Sequence, residues 1–260
     1  MLRPRIIPCL LVRNSGLVKT IRFGESKYVG DPINAVRIFN EKEVDELTVL
    51  DIDATTQQRK PDYGLITKLA AECRMPLCYG GGVTSAEQIE KIIGLGVEKV
   101  ALSAAAVQNP MLISDAASRV GSQSMVVVID VKRAGLRRRY EVFTHNGRRS
   151  TGLDPVEFAK KVEDLGAGEV VVNSIDSDGG MKGYDIELVD RIRKAISLPM
   201  TVMGGAGTLA DIEDLIRRFG TIGAAAGSLF VFKGVYRAVL INYPNRGDKD
   251  ALVARATRRP

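Results

Sequence analysis

Short apolar runs alternate along the chain with longer amphipathic segments. Apolar runs of four to eight residues rich in valine and isoleucine are typical of buried strands, and apolar residues at spacings of three and four are typical of helices. The runs predict strands at 5–11, 46–52, 76–80, 98–103, 124–130, 169–175, 199–203 and 221–227. A helix is predicted after each strand.

Several predicted helices carry start signals. A side chain able to cap a helix precedes a first-turn proline at Asp31-Pro32, Asn109-Pro110 and Asp154-Pro155, and 85–88 has the spacing of a capping box. No proline- or glycine-rich linker interrupts the alternation. The pattern therefore predicts one α/β domain, a closed (β/α)8 TIM barrel over residues 1–244, followed by a basic, flexible tail at 245–260.

The chain also repeats itself. The segment "ELTVLDID" (46–53) aligns with "EVVVNSID" (169–176) at an offset of 123, and Gly81-Gly82 aligns with Gly204-Gly205 at the same offset. The segment 98–106 aligns with 222–230 one residue further on. Three matches in the same order indicate a barrel built from two similar halves.

One loop is long enough to hold structure of its own. The segment 131–152 follows the fifth predicted strand, and its alternating pattern centres on Asn146-Gly147, a strong hairpin signal. Loops after barrel strands lie at the C-terminal face, where TIM-barrel active sites are built. A hairpin inserted at the active-site face is therefore expected.

Composition narrows the class of protein. No apolar run reaches the roughly 20 residues that span a bilayer, and the N-terminus lacks a signal-peptide pattern, so a cytoplasmic protein is expected. Three cysteines without metal-ligand spacing and a single histidine, His145, disfavour metal sites and most Ser-His-Asp schemes. We expect neither a metal nor a cofactor.

Positive charge offers two interpretations. The net charge is +6, with basic residues concentrated at 137–139, 148–149 and in the last residues. Such charge suits a phosphorylated small molecule or nucleic acid, and a solvated hairpin and frayed tail explain it equally well. We favour the phosphorylated small molecule, with no nucleic acid.

Glycines and serines follow several predicted strands. Glycine after a strand lets backbone N–H groups approach an anion, and a hydroxyl adds a donor, although glycine also ends many turns for steric reasons alone. The paired arrangement favours two phosphate sites across the mouth. The candidate residues are Gly81, Gly82, Ser103, Gly179, Gly204, Gly205, Gly227 and Ser228.

Carboxylates stand at the same ends. Asp130 ends an apolar run, so it should be partly buried and directed at the mouth, where it suits general acid/base chemistry. Asp176 and Asp178 could position a hydroxyl-rich ligand, and a turn role is as plausible. At the opposite end, Arg5, Glu46, Lys99 and Glu169 stand at or next to strand starts. Without further information we favour separate, solvated side chains there over an inward ring.

Many motifs in order resemble one family, the HisF family of cyclase subunits of imidazole glycerol phosphate synthase. The resemblance covers about residues 3–243, and its motifs are "RIIPCL", "GLVKT", "DELTVLDID", "YGGG", "GSQSMVVVIDVKR", "VFTHNGRRSTGLDP", "DLGAGEVVVNSIDSDGGMKGYD", "MGGAG" and "AAAGSLFVF". It implies a (β/α)8 barrel of lyase/cyclase type. A HisH-type glutaminase would dock at the N-terminal face and send ammonia through the barrel to a substrate with two phosphates, giving imidazole glycerol phosphate and aminoimidazole carboxamide ribotide.

The resemblance also implies residue roles. Asp130 matches the strand-5 catalytic acid and Lys19 the lysine of the first loop. The positions that match its phosphate sites are Gly81, Gly82, Asp178, Gly179, Gly204, Gly205, Gly227 and Ser228. Arg5, Glu46, Lys99 and Glu169 match a charged gate at the ammonia entrance, which favours the inward ring after all.

Four departures cluster at the mouth. Leu11 stands where the family has its strand-1 Asp, Arg22 replaces an Asn, Ser103-Ala104 replaces an Asn-Thr or Asn-Ser pair, and Asp53 replaces a Thr. Loss of one partner of an acid/base pair typically costs about 10²–10⁴ in rate. Together with "KYVGDPINA" and "LFVFKG", "CLLV" resembles a HisF-like subfamily associated with acetamidino modification of surface-polysaccharide sugars.

Three functions stay open. The first is a divergent subunit that delivers ammonia to a separate sugar amidotransferase. The second is a working cyclase of histidine biosynthesis, and the third is a non-catalytic scaffold for the glutaminase. The first explains best why the entrance residues are kept while Leu11 replaces the strand-1 acid.

Overall fold

The computed structural model describes residues 3–258. Residues 1–2 of the predicted domain and 259–260 of the predicted tail lie outside the described residues. Over the described part of the chain, no helix is long and apolar enough to cross a membrane.

The strands and helices follow the predicted order. The strands are β1 (Arg5–Arg13), β2 (Gly16–Thr20), β3 (Ser26–Gly30), β4 (Leu47–Asp51), β5 (Leu77–Gly80), β6 (Lys99–Leu102), β7 (Met125–Ala134), β8 (Arg139–Thr144), β9 (Arg149–Ser150), β10 (Glu169–Ser174), β11 (Met200–Met203), β12 (Gly223–Ala226), β13 (Phe232–Lys233) and β14 (Ala238–Val239). The helices are α1 (Pro32–Glu41), α2 (Tyr63–Glu72), α3 (Ala86–Gly94), α4 (Ala104–Gln108), α5 (Met111–Val120), α6 (Pro155–Asp164), α7 (Ile186–Arg193), α8 (Leu209–Phe219), α9 (Ser228–Val231) and α10 (Arg246–Thr257).

Eight parallel strands close into a barrel. They pair in the order β1, β4, β5, β6, β7, β10, β11 and β12, and β12 pairs with β1 again, with Ile7 opposite Ala225. Helices lie between successive barrel strands along the chain, as parallel strands require of their crossovers. The predicted (β/α)8 TIM barrel is confirmed.

Three of the four predicted capping signals mark a helix start. The side chains of Asp31, Ser85 and Asp154 accept hydrogen bonds from backbone N–H groups in the first turns of α1, α3 and α6. The signal at Asn109 was wrong, because α5 begins after Pro110 and receives no side-chain cap. Asn109 instead ends the short helix α4.

Alternation along the strands separates two apolar sets. Outward residues, such as Val127 and Ile129 of β7, pack against the helices in the main core. Inward residues form a second set, the interior cluster, which consists of Ile7, Cys9, Cys78, Ala101, Val126, Val128, Val171, Met203 and Ala225. Leu11 and Leu50 pack against this cluster from the mouth side. The cluster therefore separates the two ends of the barrel by a buried apolar layer.

Two hairpins continue the barrel sheet beyond the C-terminal ends of its strands. β7 continues beyond the barrel and pairs antiparallel with β8, which pairs with β9 across a turn at Asn146-Gly147. This places an inserted hairpin after the fifth barrel strand. A second hairpin, in which β2 pairs with β1 and β3, was not predicted.

The segment expected to be a flexible tail is largely helical. α10 packs on α8, and its Leu252 and Ala256 are buried. Lys249 is also buried and its Nζ lies 2.7 Å from Asp45 Oδ1, just before β4. This helix was not predicted, because its composition is basic and its buried face is narrow and includes a lysine.

α10 runs against the direction of the other barrel helices. Its first turn lies at the N-terminal end of the barrel beside Asp45, whereas Arg255 near its end pairs with Glu213 in the first half of α8. The preceding segment also holds this end, because the Tyr243 hydroxyl donates to the Ile6 carbonyl at 2.9 Å.

Candidate active site

A cavity opens at the C-terminal ends of the barrel strands. It encloses about 1310 Å³, including the solvent at its open mouth. All eight barrel strands contribute lining residues. The β2–β3 hairpin adds Lys19 and Phe23, and the β8–β9 turn adds His145 and Asn146. The cavity lies at the end where TIM-barrel active sites are found.

Asp130 lies in the wall of this cavity, where β7 leaves the barrel. Its Oδ2 accepts from the Ser103 hydroxyl at 3.0 Å, and its Oδ1 accepts from Asn173 Nδ2 at 2.8 Å. Burial raises its pKa to about 6, although both hydrogen bonds favour the ionised form. A carboxylate that titrates near neutrality can both take and give a proton, as an acid/base catalyst must.

Leu11 is the residue of β1 that corresponds to Asp130 of β7. It lies opposite Leu50 in the β1–β4 register, and both side chains line the cavity and pack on the interior cluster. At this level of the cavity wall, β1 therefore presents an apolar side chain where β7 presents the carboxylate of Asp130. Leu11 extends the apolar interior to the mouth.

Lys19 reaches the cavity from β2. Its Nζ donates to the Cys9 carbonyl oxygen at 2.6 Å and would lie 2.4 Å from a Cβ at Gly227. Burial lowers its pKa, and the Asp178 carboxylate opposes part of that shift. The amine is thus placed between the ends of β1 and β12, in reach of an anion bound at the mouth.

The two glycine pairs occupy equivalent turns in the two halves. Gly81 and Gly82 have φ of 121° and 70°, and Gly204 and Gly205 have φ of 88° and 119°. A Cβ at each would lie 2.1–2.6 Å from a backbone carbonyl oxygen, so sterics alone require glycine. Within residues 3–258, their N–H groups donate no hydrogen bond and their turns line the cavity, which also suits them to an anion.

Two short helices begin at the mouth without a side-chain cap. α4 follows Ser103 and α9 follows Gly227, and in the described chain neither first turn has a side-chain acceptor. Ser103 and Ser228 both line the cavity. The structure therefore brings Ser103, Gly227 and Ser228 to the same cavity as the glycine pairs.

Asp176 and Asp178 have different surroundings. Asp178 lines the cavity with Gly179, and burial raises its pKa despite the nearby Lys19 charge. Asp176 does not line the cavity, because its Oδ2 accepts from the Arg133 backbone N–H at 2.9 Å. In the structure, Asp176 helps to fix the start of the inserted hairpin, and its contact with a ligand stays a prediction.

Arg22, one of the departures from the family pattern, is not among the residues that line the cavity. Its backbone N–H donates to the Asp178 carbonyl at 3.0 Å, and its Nε donates to the Asp176 carbonyl at 3.1 Å. Arg22 therefore fastens the β2–β3 turn to the loop after β10. The nearby Phe23 lines the mouth.

Arg5, Glu46, Lys99 and Glu169 meet inside the N-terminal end of the barrel and form a charged ring. Lys99 Nζ lies 2.9 Å from Glu46 and 2.8 Å from Glu169, and Arg5 pairs with the same two carboxylates. Glu169 also accepts from the Thr201 hydroxyl at 2.5 Å. The preference for separate, solvated side chains was wrong, because each charge has two opposite neighbours inside the strand ends.

The charges of the ring stabilise one another. Burial alone would raise the pKa of Glu169, but the charges and hydrogen bonds of Arg5 and Lys99 lower it to about 2. The pKa of Lys99 is raised, since attraction to Glu169 and Glu46 outweighs the effect of burial. Arg5 and Lys99 therefore hold Glu169 in its charged form, and the paired charges close the ring.

Some site residues were missed from the sequence. Asn173, 4% exposed, was not singled out, although it interrupts the apolar run "VVVNSID" at an inward position and could have been found there. Arg13 at the mouth makes two hydrogen bonds to Asp53, at 2.7 and 2.9 Å, so Asp53 is an ion-pair partner. Among residues 3–258, no three His, Cys, Asp or Glu side chains group as a metal site would require.

Fold and site together define a class: a TIM barrel of two similar halves, with an acid/base candidate at its mouth and a charged ring at its opposite end. The chain belongs to the HisF family. The model of the family described as "Histidine biosynthesis protein" matches residues 5–237.

Named relatives cover nearly the whole chain. The "Putative imidazole glycerol phosphate synthase subunit HisF" of Leptospira interrogans is 57% identical over 97% of this chain and 99% of its own length. A subunit of Vibrio vulnificus strain YJ016 with the same description, hisF3, is 56% identical over 96% of both chains. That of Pseudomonas aeruginosa, hisF2, is 52% identical over 94% of this chain and 97% of its own.

Proposed function

We propose that this chain is a HisF-type subunit that takes glutamine-derived ammonia from a HisH-type glutaminase docked at the N-terminal face of the barrel. The ammonia crosses the barrel interior and leaves at the mouth. There it serves the amidination of a surface-polysaccharide sugar by a separate sugar amidotransferase. A phosphorylated small molecule binds the glycine loops at the mouth.

The observation that carries this proposal is the contrast between the two ends of one barrel. The charged ring closes the N-terminal end with four mutually paired side chains. At the mouth, Leu11 leaves Asp130 without the strand-1 carboxylate expected of the family. A retained entrance with a reduced acid/base site supports ammonia delivery more than cyclisation.

The interior between the two ends also supports passage of a neutral molecule. The interior cluster consists of small and apolar side chains such as Ala101, Ala225 and Val128. Transfer of a charged ammonium ion into such surroundings is unfavourable, whereas neutral ammonia has no net charge to desolvate. Sugar amidination as the destination rests on the resemblance of "CLLV", "KYVGDPINA" and "LFVFKG" to the divergent subfamily.

A cyclase assay tests this proposal. The purified barrel receives the bisphosphorylated substrate of imidazole glycerol phosphate synthase and ammonium salt, so that no glutaminase is needed. We expect turnover at least about 10²-fold below ordinary enzyme rates, because one of two acid/base groups is missing. Turnover at ordinary rates would instead establish the histidine-pathway reaction.

The second candidate is a working imidazole glycerol phosphate synthase cyclase. Asp130 with its pKa near 6, Lys19 and both glycine pairs favour it, since they supply an acid/base group and two anion sites. A pure docking scaffold makes a different prediction. It requires Asp130→Asn to leave product formation by the full complex unchanged.

A further inference from the structure

We propose that Asn173 is the positioning residue for Asp130, holding its carboxylate in one orientation and in its ionised form at the mouth. This inference deepens the proposed function and rests on it for the catalytic use of Asp130.

Register places the two residues side by side. Asn173 of β10 is the direct partner of Asp130 of β7 in the parallel ladder. One layer below, Val171 and Val128 lie in the interior cluster, so Asn173 and Asp130 are the next inward residues of their strands. Both strands are anchored on both sides by barrel neighbours, and the pair is therefore fixed by backbone geometry.

The amide can bind an ionised carboxylate in one orientation only. A carboxylate accepts and does not donate, so Nδ2 must face Asp130, and the observed distance is 2.8 Å. The Oδ1 atom is buried and has no hydrogen-bond partner among the described residues. An unpaired buried acceptor is costly, which is consistent with a side chain selected for its donor.

The neighbourhood of Asp130 makes this donor important. The Ser103 hydroxyl is the other hydrogen-bond donor to the carboxylate, at 3.0 Å. The Asp178 carboxylate opposes ionisation from the loop after β10. Lys19 and His145 also line the cavity, but Lys19 Nζ is committed to the Cys9 carbonyl and His145 bonds to Thr144. The ionised form thus depends on two neutral donors.

Carboxyl NMR titration tests the proposal without any substrate. Protein labelled with ¹³C at aspartate carboxyl carbons is titrated as wild type, Asn173→Leu, Asn173→Thr and Ser103→Ala, with Asp130→Asn identifying the signal. We expect Asn173→Leu to raise the Asp130 midpoint by about one pH unit, since a hydrogen bond to a charged group contributes about that much. Ser103→Ala should raise it less, and Asn173→Thr should restore part of the shift through its hydroxyl.

Thermal melting verifies that each variant is folded. If Asn173→Leu does not fold, Asn173→Thr still tests the proposal. An unchanged Asp130 midpoint in the folded variants overturns the proposal. In the complete reaction with the glutaminase and the sugar amidotransferase, the acidic limb of the pH profile should move with the NMR midpoint, with kcat lowered and KM kept. If wild type forms no amidinated sugar there, the proposed function fails, while the titration still decides the role of Asn173.

Discussion

Lys19 Nζ lies 2.6 Å from the backbone carbonyl oxygen of Cys9, so a buried amine of β2 is held against the first barrel strand, β1. The side chain is 6% exposed, and burial lowers its pKa. A charged group in this position costs folding free energy that an apolar side chain would not. Its placement at the mouth is therefore explained by ligand binding better than by stability.

Replacement of Lys19 should separate these two effects. Lys19→Met should bind inorganic phosphate about tenfold more weakly, because a charged donor is lost, while its midpoint for thermal unfolding stays equal or rises. Isothermal titration and calorimetric melting measure the two quantities. Lys27→Met, at an exposed lysine of β3, is the matched control. Equal phosphate affinity in Lys19→Met would remove this amine from the anion site.

Introduction of a strand-1 carboxylate at Leu11 should increase the rate of cyclisation. Leu11→Asp places a carboxylate opposite Leu50, beside the interior cluster, and should lower the free energy of unfolding. If the absent acid limits cyclisation, the turnover with ammonium salt should rise by about 10²–10⁴. Leu11→Asn, which is polar but cannot exchange a proton, is the control. An equal gain in both variants would assign the effect to polarity.

The charged ring should contribute acid sensitivity. The folded-state pKa of Glu169 is about 2, below its usual value of 4.5, so its stabilisation is present above pH 4.5 and is lost as the pH falls towards 2. The shift corresponds to roughly 3 kcal/mol. Urea unfolding at pH 7 and pH 3 should therefore show a smaller pH difference for Glu169→Gln than for wild type. Glu157→Gln, at an exposed site on α6, should behave as wild type.

The C-terminal helix should be required for stability. Lys249→Met leaves the Asp45 carboxylate without its buried partner and should destabilise the fold by about 3 kcal/mol, measured by urea unfolding. Arg246→Met alters an exposed arginine of the same helix and should have little effect. A wild-type unfolding curve for Lys249→Met would show that the pair contributes nothing to holding α10.

Substitutions at two glycines should distinguish the cost of a steric clash from the cost of a left-handed backbone conformation. Gly204 has φ of 88° and a Cβ there would lie 2.6 Å from the Ser174 carbonyl oxygen, whereas Gly152 has φ of 72° with no atom within 4 Å. Gly152→Ala should cost about 1 kcal/mol through left-handed strain alone. Gly204→Ala should cost clearly more, because β10 or the turn must also shift. Equal costs would contradict the tight turn.

The sequence was sufficient for the barrel because its signals are local. Runs such as "SMVVVIDV" alternate between a helix-facing and an inward set, and capping residues such as Asp31 and Asp154 mark the next helix. The position of Asp130 at the mouth follows from the same local pattern, because a strand that ends in a carboxylate carries it to the strand end. The equivalent glycine turns were found through the internal repeat.

The features that were predicted wrongly or not at all depend on contacts between segments far apart in the sequence. α10 is held by Lys249 and Asp45, which are 204 positions apart, and its own pattern has only a thin apolar stripe. The carboxylate of Asp176 accepts a hydrogen bond from the backbone N–H of Arg133 on another strand, and the segment around Asp176 does not reveal that contact. The inward ring also required knowledge of which strand ends meet, which no single segment contains.

The strand β10 carries a member of the charged ring and the partner of Asp130 only four residues apart. Glu169 and Asn173 are linked through the apolar Val171, and no hydrogen bond between side chains of the described residues joins the two ends across that layer. Four residues of strand span about 13 Å. Mutations at the mouth can therefore accumulate without disturbing the charged ring. The loops at the mouth could evolve a new chemistry while the lower half of the barrel stays unchanged.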